Sequence, residues 1–368
     1  MTNTLNTVSL NGIQAREIDK KCWKPEILNP RNSGDRRRIV YLIKKGAEVL
    51  DEIGNQLLEL IEVNNPQFLF LRQKLSNNKK IKDERWVFYP WRRLIVRCLK
   101  DDDFKAVRTS RNFGLLTKTE QKFLKTIKIG VAGLNVGNPG AIGLALEGVG
   151  GLYKLADIDP LSLSNLNRFR AGVCDLGVNK ATLTARQIFE LNPYAKVEVF
   201  EQGINQSTVD GFLSKPKLDI LIEEMDNLNL KILVREKSRQ LKIPVVMVTG
   251  NGENVIIDVE RYDLDSNLSL LNGRLDNETV EKIKAGVGAS GVSKLALARD
   301  FIGSKYLTKR LRDSFLQVGK TLAGIPQLAE TSFLRGAVLC FVVRAVLTNN
   351  LNSGRYYLNL TDISKFKL

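Results

Sequence analysis

The feature that most constrains this chain is an alternation of short apolar runs with helical segments, which begins near Thr126. The apolar runs are IKIGVAGL, LYKLADID, KVEVFEQ, LDILIEEMD, PVVMVTG and NVIIDVE, and the helical segments are PGAIGLALEGVG, KATLTARQIFELN and LKILVREKSRQL. Such an alternation is typical of parallel strands that are covered by helices on both faces. The sequence therefore predicts an α/β fold with a doubly wound, mostly parallel sheet.

The first part of the chain differs in pattern and predicts a smaller, partly helical N-terminal domain over residues 1–105. Apolar residues recur at helical spacing over residues 34–63, and WVFYPWRRLIVRCL is typical of strands. The segment NNKKIKDER at residues 77–85 predicts a polar loop. The second domain would span residues 106–368, with mainly helical patterns from residue 264 and a strand-like GRYYLNL near its end.

The histidine and cysteine content excludes several kinds of chemistry. The chain has no histidine and four cysteines, which are far apart and form no C-x-x-C pair. A Ser-His or Cys-His pair and a histidine-ligated zinc are therefore impossible, and we expect no zinc site. Any catalysis must use Asp, Glu, Lys, Arg, Asn or Cys side chains.

The formal net charge of +16 indicates either a polyanionic partner, such as nucleic acid, nucleotide phosphates or an acidic peptide, or simply a lysine-rich surface. The chain has no zinc-finger or aromatic RNA-binding motif, so nucleic acid is not an expected partner. No apolar run is long enough to span a bilayer, and the N-terminus lacks the apolar region of a signal peptide. We expect a soluble cytoplasmic protein with no membrane partner.

A glycine-rich turn follows the first apolar run of the larger domain and contains Gly133, Asn135 and Gly137. Glycines at such a turn let phosphates approach the N-terminus of the next helix, although they also occur for packing alone. Asp157 follows about 20 residues later, near the end of the second strand, where a carboxylate can accept hydrogen bonds from ribose hydroxyls. These residues predict a nucleotide site, which would suit ATP or NAD.

Charged and polar residues beyond the strands favour ATP. Asn165 and Arg168 follow the second strand, Lys180 opens the next helix, and Asp226 follows the fourth strand. Each of them alone could be a solvated surface group, but together they lie at or just past the carboxyl ends of strands. We expect Arg168 and Lys180 to neutralise a triphosphate and Asp226 to hold Mg²⁺, neither of which an NAD site needs.

The spacing from Asp157 through Asn165 and Arg168 to Lys180, within DIDPLSLSNLNR and DLGVNKA, resembles the ThiF family. That family includes the ubiquitin-activating enzymes, the activators of sulfur-carrier proteins and the synthetase that matures microcin C. The similarity covers residues 108–263 and continues more weakly to the C-terminus. The whole chain is most similar to a bacterial subgroup that is sometimes fused to nitroreductase-like domains, and the resemblance implies a Rossmann-like fold of the ThiF type.

The resemblance also implies an activity, which is adenylylation of a carboxylate with Mg·ATP. It assigns ribose binding to Asp157, phosphate binding and charge stabilisation to Asn165, Arg168 and Lys180, and Mg²⁺ binding to Asp226. The segment RTSRNFGLLTKTEQKFL is similar to the family's leading R-x-x-R-Q segment, so Arg111 would be an arginine finger. Such a finger is often supplied by the other subunit, and we therefore expect a homodimer.

The sequence departs from the family pattern in its glycine loop, which is GLNVGN rather than G-x-G-G-L-G, and in its cysteines. The paired C-x-x-C motifs that bind structural zinc in many members are absent. No cysteine lies between Cys174 and Cys340, where thioester-forming members keep theirs. The resemblance therefore implies adenylylation without a thioester step, and we interpret Cys174 as a small buried residue.

The substrate is open to interpretation at this point. A peptide or ubiquitin-like carboxyl terminus is the favoured substrate, and the basic N-terminal domain could grip it; a small free acid is the alternative. Two other functions also remain open. The chain could bind NAD or FAD as an oxidoreductase component, or it could bind nucleotide or nucleic acid without catalysis.

Overall fold

The computed structural model of the protein describes residues 20–67, 83–285, 297, 299, 301–360 and 362. These residues form two sheets, one of four strands and one of seven. The smaller sheet and its helices are β1 (Glu26–Leu28), α1 (Ser33–Lys44), β2 (Glu48–Leu50), α2 (Ile53–Asn64), β3 (Glu84–Tyr89), β4 (Leu94–Leu99) and α3 (Asp101–Arg108). The strand order in this sheet is β1-β3-β4-β2, and only the β2–β4 pair is parallel.

The larger unit is built on the seven-stranded sheet, whose order is β11-β10-β9-β8-β5-β6-β7. Its first half comprises α4 (Lys118–Leu124), β5 (Lys128–Ala132), α5 (Leu134–Leu146), β6 (Leu152–Ala156), α6 (Lys180–Leu191), β7 (Val197–Phe200), α7 (Val209–Ser214) and β8 (Ile220–Glu223). Its second half comprises α8 (Leu228–Leu241), β9 (Val245–Asn251), β10 (Asn254–Glu260), α9 (Asn277–Lys284), α10 (Lys309–Phe315), α11 (Ala329–Leu347) and β11 (Gly354–Leu358).

The parallel strands are buried because helices cover both faces of the sheet. One core contains residues of α5, α6 and α11 packed on β5 and β8, and a second contains residues of α7, α8 and α9 on the opposite face. All four residues of β8 are buried, as its uninterrupted apolar character predicts. The doubly wound α/β prediction is therefore confirmed.

The smaller sheet is joined to the larger unit through α6. Val87, Tyr89 and Cys98 belong to the same hydrophobic core as α5 and α6. The Tyr89 hydroxyl donates to the backbone oxygen of Phe189 at 3.2 Å, and the hydroxyl of Tyr194 donates to the oxygen of Leu99 at 2.6 Å. These contacts make the two sheets share one core. The predicted domain boundary at residues 105–106 falls inside α3, and the division into two domains stays a prediction.

The structure corrects two predicted elements and adds the direction of two strands. Residues 34–63 form two helices rather than one, because the chain turns at Gly46, which has a φ of +85°. The helix after β5 begins at Leu134 rather than at Pro139. β10 and β11 are antiparallel to their neighbours, since a two-residue turn that contains Gly252 reverses the chain after β9. The predicted polar loop at residues 77–85 lies largely outside the described residues.

None of the described helices combines the length and the apolar character that crossing a bilayer requires.

Gly133 is a glycine that this fold requires, and replacing it is a test of the fold. Its φ is +85°, and a Cβ there would lie 2.5 Å from the backbone carbon and oxygen of Glu224. We expect Gly133→Ala to lower the free energy of unfolding by about 2 to 5 kcal/mol, from backbone strain and overlap. Urea unfolding followed by circular dichroism measures the change.

Gly211 provides the control, because it lies in α7 and a Cβ there would meet nothing within 4 Å. Gly211→Ala should stabilise the protein by about 0.5 to 1 kcal/mol, since alanine loses less backbone entropy in a helix. Equal effects of the two substitutions would contradict the packing role of Gly133.

Candidate functional site

The turn between β5 and α5 sets one side of the site. Gly133 precedes the helix, and the backbone N–H of Leu134 donates to Asp157 Oδ2 at 2.6 Å. Asp157 lies just past the end of the neighbouring strand β6 and is buried. This contact fixes where the helix begins and holds a carboxylate beside its N-terminal N–H groups, which carry partial positive charge.

Asp157 is held by a second backbone group, the N–H of Asp159, which donates to Oδ1 at 2.9 Å. Burial raises the pKa of Asp157, although the two backbone donors and Lys180 oppose this shift. Each carboxylate oxygen has two lone pairs, so both can accept a further hydrogen bond. The geometry therefore leaves Asp157 able to accept from hydroxyls of a bound ligand.

Lys180 is the first residue of α6, as the sequence predicts, and it is buried. Its Nζ lies 3.1 Å from Asp159 Oδ2, while the Asp159 side chain is 60% exposed. The side chain of Asn179 caps the helix by accepting from the N–H groups of Ala181 and Thr182. Lys180 is thus a nearly buried cation whose partner reaches into solvent and can be exchanged for a ligand.

Asn165 and Arg168 lie in the loop between β6 and α6. Asn165 Oδ1 accepts from the backbone N–H and the hydroxyl of Ser162, at 3.1 and 2.9 Å. This leaves the Asn165 Nδ2 group to donate elsewhere. Arg168 Nη1 donates to the Ser164 oxygen and to Asn167 Oδ1 at 3.0 and 2.8 Å, whereas its Nε is buried without a partner.

Arg168 shares its surroundings with two other charged side chains, Asp226 and Arg335. Burial lowers the pKa of Arg168, the carboxylate of Asp226 opposes this shift, and the charge of Arg335 adds to it. Asp226 is exposed in the loop between β8 and α8. The loop after β6, the loop after β8 and helix α11 therefore bring two arginines and one carboxylate together.

Arg335 forms a buried ion pair with Glu224, the residue that directly follows β8. Glu224 Oε1 also accepts from the backbone N–H of Val248 in β9 at 2.8 Å. Burial raises the pKa of Glu224, and Arg335 counteracts it. Arg335 Nε has no hydrogen-bond partner, and the same holds for the buried Oδ1 of Asn135.

A cavity of about 170 Å³ opens beside these groups, at the carboxyl ends of β8 and β9. We call it the apolar pocket. Its apolar lining includes Met225, Met247, Phe301, Leu311, Phe315 and Ile325. Its polar lining includes Asn135, Glu224, Asp226, Lys231, Thr331 and Arg335. The apolar pocket is therefore continuous with the group formed by Asn135, Asp226 and Arg335.

The structure brings most of the predicted site residues to one edge of the sheet. The strands β8, β5 and β6 are adjacent, so their carboxyl ends span about 10 Å. Gly133 and Asn135 follow β5, Asp157 follows β6, and Asp226 follows β8. This convergence is what the sequence predicts, because parallel strands end at the same edge.

Three residues that the sequence analysis singles out lie outside this group of side chains. Arg111 is exposed, and its neighbour Asn112 donates to the backbone oxygen of Glu147, at the far end of α5 from the site. Gly137 faces the sheet, where a Cβ would lie 2.9 Å from Val131, which gives this glycine a packing reason. Cys174 is exposed rather than buried, because it lies in a surface 3₁₀ turn, so our interpretation of it was wrong.

The carboxylate at this edge of the sheet fits a magnesium ion that is bound together with a nucleotide. The described residues contain no group of three or more His, Cys, Asp or Glu side chains that could hold a metal. Mg²⁺, however, is commonly held by one or two carboxylates together with substrate phosphates and waters. Asp226 is an exposed carboxylate close to Arg168 and meets this need.

The sequence analysis missed Glu224, Lys231 and Arg335, which line the apolar pocket. A signal for Arg335 is present in the sequence, since it interrupts the otherwise apolar stretch SFLRGAVLCFVV. A charged residue on a buried helix face requires an ion partner. The partner itself could not be read from the sequence, because Glu224 lies on a distant strand end.

Comparison with known proteins identifies relatives of part of the chain. Residues 108–269 match the ThiF family. An uncharacterized protein of Mycobacterium tuberculosis is 38% identical over 273 residues, which are 74% of this chain and 37% of that protein. The tRNA threonylcarbamoyladenosine dehydratase of Escherichia coli is 27% identical over 177 residues, 48% of this chain and 64% of that protein.

The probable molybdopterin-synthase adenylyltransferase of Porphyra purpurea is 29% identical over 114 residues, 31% of this chain and 28% of that protein. The chain thus spans less than two thirds of each of these relatives. A solved structure of the E. coli dehydratase in complex with ATP superposes with a TM-score of 0.48 at 19% identity, covering 66% of this chain and 94% of that chain.

The Glu224–Arg335 pair yields a prediction about stability and pH. Arg335→Met would leave Glu224 buried without a counter-charge, which we expect to cost about 3 to 5 kcal/mol of unfolding free energy near neutral pH. The pKa of Glu224, already raised in the folded protein, would rise further. Above the unfolded-state pKa of about 4.3, the variant therefore loses stability as the pH rises.

Urea unfolding at about pH 5 and about pH 8 measures this difference, and the deficit of Arg335→Met should be smaller at the lower pH. The double variant Arg335→Met with Glu224→Gln removes the buried charge and should abolish most of the pH dependence. A deficit that is the same at both values would show that the charge of Glu224 is not the cause.

Proposed function

We propose, from the match of residues 108–269 to the ThiF family, that this chain uses Mg·ATP to activate a carboxylate by adenylylation. A carboxylate oxygen of the substrate attacks the α-phosphorus of ATP. The bond between that phosphorus and the oxygen that bridges to the β-phosphate breaks, and pyrophosphate leaves with the electron pair. The products are an acyl-adenylate and pyrophosphate, and no proton needs to be moved.

One observation carries this proposal, namely that polar groups from three adjacent strand ends and from α11 meet at one edge of the sheet. Among them, Asn135 Oδ1, Arg168 Nε and Arg335 Nε are buried without hydrogen-bond partners. Buried polar atoms of this kind are rare in folded proteins unless water or a ligand satisfies them. The phosphate oxygens of a bound nucleotide and the oxygens of the attacking carboxylate would accept from the two arginine Nε groups.

The roles of the residues follow from their positions. The N-terminus of α5 and Asn165 Nδ2 would donate to phosphate oxygens, and Asp157 would accept from ribose hydroxyls. Lys180 would exchange Asp159 for a phosphate oxygen. Asp226 would hold the Mg²⁺ that accompanies ATP, and Arg168 would stabilise the charge that develops at the α-phosphate.

The chemistry suits a chain without histidine. The attacking carboxylate is already ionised near neutral pH, and pyrophosphate with Mg²⁺ is a good leaving group. Catalysis can therefore rest on positioning and on fixed positive charge, which are large contributions in water-excluded sites. No thioester step is proposed after activation, and the exposed Cys174 is given no part in the reaction.

The name of one of the two relatives agrees with adenylylation. The Porphyra protein is called a probable adenylyltransferase, and the E. coli protein is called a dehydratase that acts on threonylcarbamoyladenosine in tRNA. We propose the adenylylation step alone for this chain. Its N-terminal sheet is proposed as an accessory unit for a peptide substrate.

We also propose that the chain acts as a homodimer. Arg111 lies near the end of α5, which is about 20 Å from the N-terminus where the phosphates would bind. Its own side chain cannot span this distance, so an arginine finger at this position must serve the partner's site. Exposed apolar side chains flank the segment, and they are Phe113, Leu115 and Leu146.

Loss of one site cation tests the activity. Lys180→Ala or Arg168→Ala should reduce ATP–pyrophosphate exchange by about 10² to 10³, because each removes charge stabilisation at the phosphates. Arg170→Ala is the matched control, since Arg170 is exposed in the same loop, and it should retain activity. Full exchange activity in Lys180→Ala would remove Lys180 from the mechanism.

Nucleotide binding separates this proposal from its alternatives. Calorimetry is carried out on the parent protein and on the same variants. The parent protein should bind Mg·ATP. Binding of NAD without binding of Mg·ATP would support an oxidoreductase component instead. Binding of Mg·ATP with no exchange for any carboxylate would support a non-catalytic nucleotide-binding protein.

Mixing two inactive variants tests the dimer. Arg111→Ala would damage the partner's site, while Lys180→Ala would damage its own site. After exchange of subunits, half of the dimers would be mixed and each would keep one intact site, so about a quarter of the parent activity should return. No recovery, although mixed dimers form, would place Arg111 outside the active site.

A further inference from the structure

We propose that the acid activated by this chain bears an apolar side chain beside its carboxylate, and that this side chain fills the apolar pocket. The proposal rests on the adenylylation function and names the class of its substrate. The acid is either a free acyl amino acid or the last residue of a peptide, since both present the same group. A tail that ends in glycine, such as that of a ubiquitin-like protein, would not fill the pocket.

The position of the apolar pocket makes it the place for the substrate rather than for the nucleotide base. Three residues of its lining also lie where the phosphates are proposed to bind. Asn135 is in the first turn of α5, and Asp226 and Arg335 lie near Arg168. Asp157, which would hold the ribose, lies two strands away, beyond β5. A group in the apolar pocket is therefore next to the α-phosphate on the side away from the ribose.

The unsatisfied polar atoms lie where the carboxylate would be. Arg335 Nε is buried without a partner although its Nη2 is paired with Glu224. Arg168 Nε is likewise buried without a partner. Guanidinium N–H groups bind carboxylates well, so these two atoms can orient the acid while its side chain points into the apolar pocket.

The deeper wall of the pocket is apolar, with Met225, Met247, Phe301, Leu311 and Phe315 among its lining. Methionine side chains adapt to irregular apolar groups, and aromatic rings offer large contact areas. Phe301 and Leu311 are themselves buried. Transfer of an apolar side chain from water into such surroundings is favourable in proportion to the area removed from water.

The charged groups that line the pocket, apart from Asp226, are already paired with one another or with Glu223, which disfavours a charged side chain in it. Lys231 Nζ lies 3.0 Å from both carboxylate oxygens of Glu223, and Arg335 is paired with Glu224. Asp226 remains, but it lies in an exposed loop and is the proposed Mg²⁺ ligand. An acidic or basic side chain would enter without a counter-ion and lose its hydration.

The size of the pocket sets the size of the side chain. Its volume is about 170 Å³, and an apolar cavity of about 150 Å³ in another protein accommodates benzene. The space therefore matches a side chain such as that of leucine, methionine or phenylalanine. Glycine would leave an apolar cavity unfilled beside the reacting carboxylate.

Substrate preference is the direct test, and it uses the full chain. ATP–pyrophosphate exchange is measured with two series of acids that differ only in their last residue: Gly, Leu, Phe, Asp or Lys. One series consists of N-acetyl amino acids and the other of six-residue peptides, so the two sources of the acid are compared. In the preferred series, kcat/KM should be about 10- to 100-fold higher for Leu or Phe than for Gly, Asp or Lys.

Variants then connect the preference to the pocket. Leu311→Trp would fill the pocket and should reduce exchange with Leu and Phe acids at least tenfold relative to the parent protein. Leu316→Trp is the matched control, because Leu316 is 62% exposed just beyond α10, and it should leave the preference unchanged. If Leu311→Trp does not fold, the preference of the parent protein among the acids still decides.

The outcomes separate the two proposals. Exchange that is equal for Gly and Leu, or higher for Gly, overturns the substrate class while adenylylation stands. If Mg·ATP binds but no acid supports exchange, the proposed function fails, and calorimetric binding of N-acetylleucine against N-acetylglycine then decides about the pocket. Tighter binding of N-acetylleucine, lost in Leu311→Trp, supports the apolar pocket as a binding site, and equal binding overturns it.

Discussion

The structure depends most on how Glu224 is held at the end of β8. Its backbone lies against Gly133, where only a glycine leaves room, and its side chain joins β9 to α11 through Val248 and Arg335. These contacts connect the glycine turn, the central strand and the last long helix. A buried carboxylate is costly unless it is paired, so burial of Glu224 depends on both of its side-chain partners. These contacts also set the relative positions of the glycine turn, the end of β8 and α11, where the nucleotide and the acid are proposed to bind.

Charges in the larger unit serve two different purposes. Below the apolar pocket, Arg235 is fully buried and bridges Glu223 and Glu260 at 2.6 and 2.8 Å, while Lys231 also pairs with Glu223. Burial alone would raise the pKa of Glu223, but Lys231 and Arg235 together lower it. These charges neutralise one another, and their ion pairs hold β8, α8 and β10 together next to the site. At the edge of the sheet, in contrast, Arg168 keeps donor groups free for a ligand.

Helix α6 links the proposed active site to the N-terminal sheet. Its first residue is Lys180, and its last turn contains Phe189 and Glu190. These two residues accept hydrogen bonds from Tyr89 at the end of β3 and from Trp91 in the turn that follows it. The two sheets are therefore connected by one rigid element rather than by a linker alone. This arrangement is compatible with the proposed accessory role of the smaller sheet.

The sequence by itself determined the α/β fold, the succession of strands and helices along the chain from β5 to β9, and the placement of Asp157, Lys180 and Asp226 at or just past strand carboxyl ends. These features follow from local patterns, since apolar runs and glycine turns are encoded by neighbouring residues and parallel strands end at a common edge. The tertiary structure alone decided that Arg335 pairs with Glu224, that the apolar pocket exists and that Arg111 lies far from its own site. Such features depend on contacts between residues far apart in the chain, from 35 positions for Asn112 and Glu147 to 111 for Glu224 and Arg335, which no local pattern specifies. The exposure of Cys174 was decided in the same way, because burial is a property of the packed chain and not of the residue type.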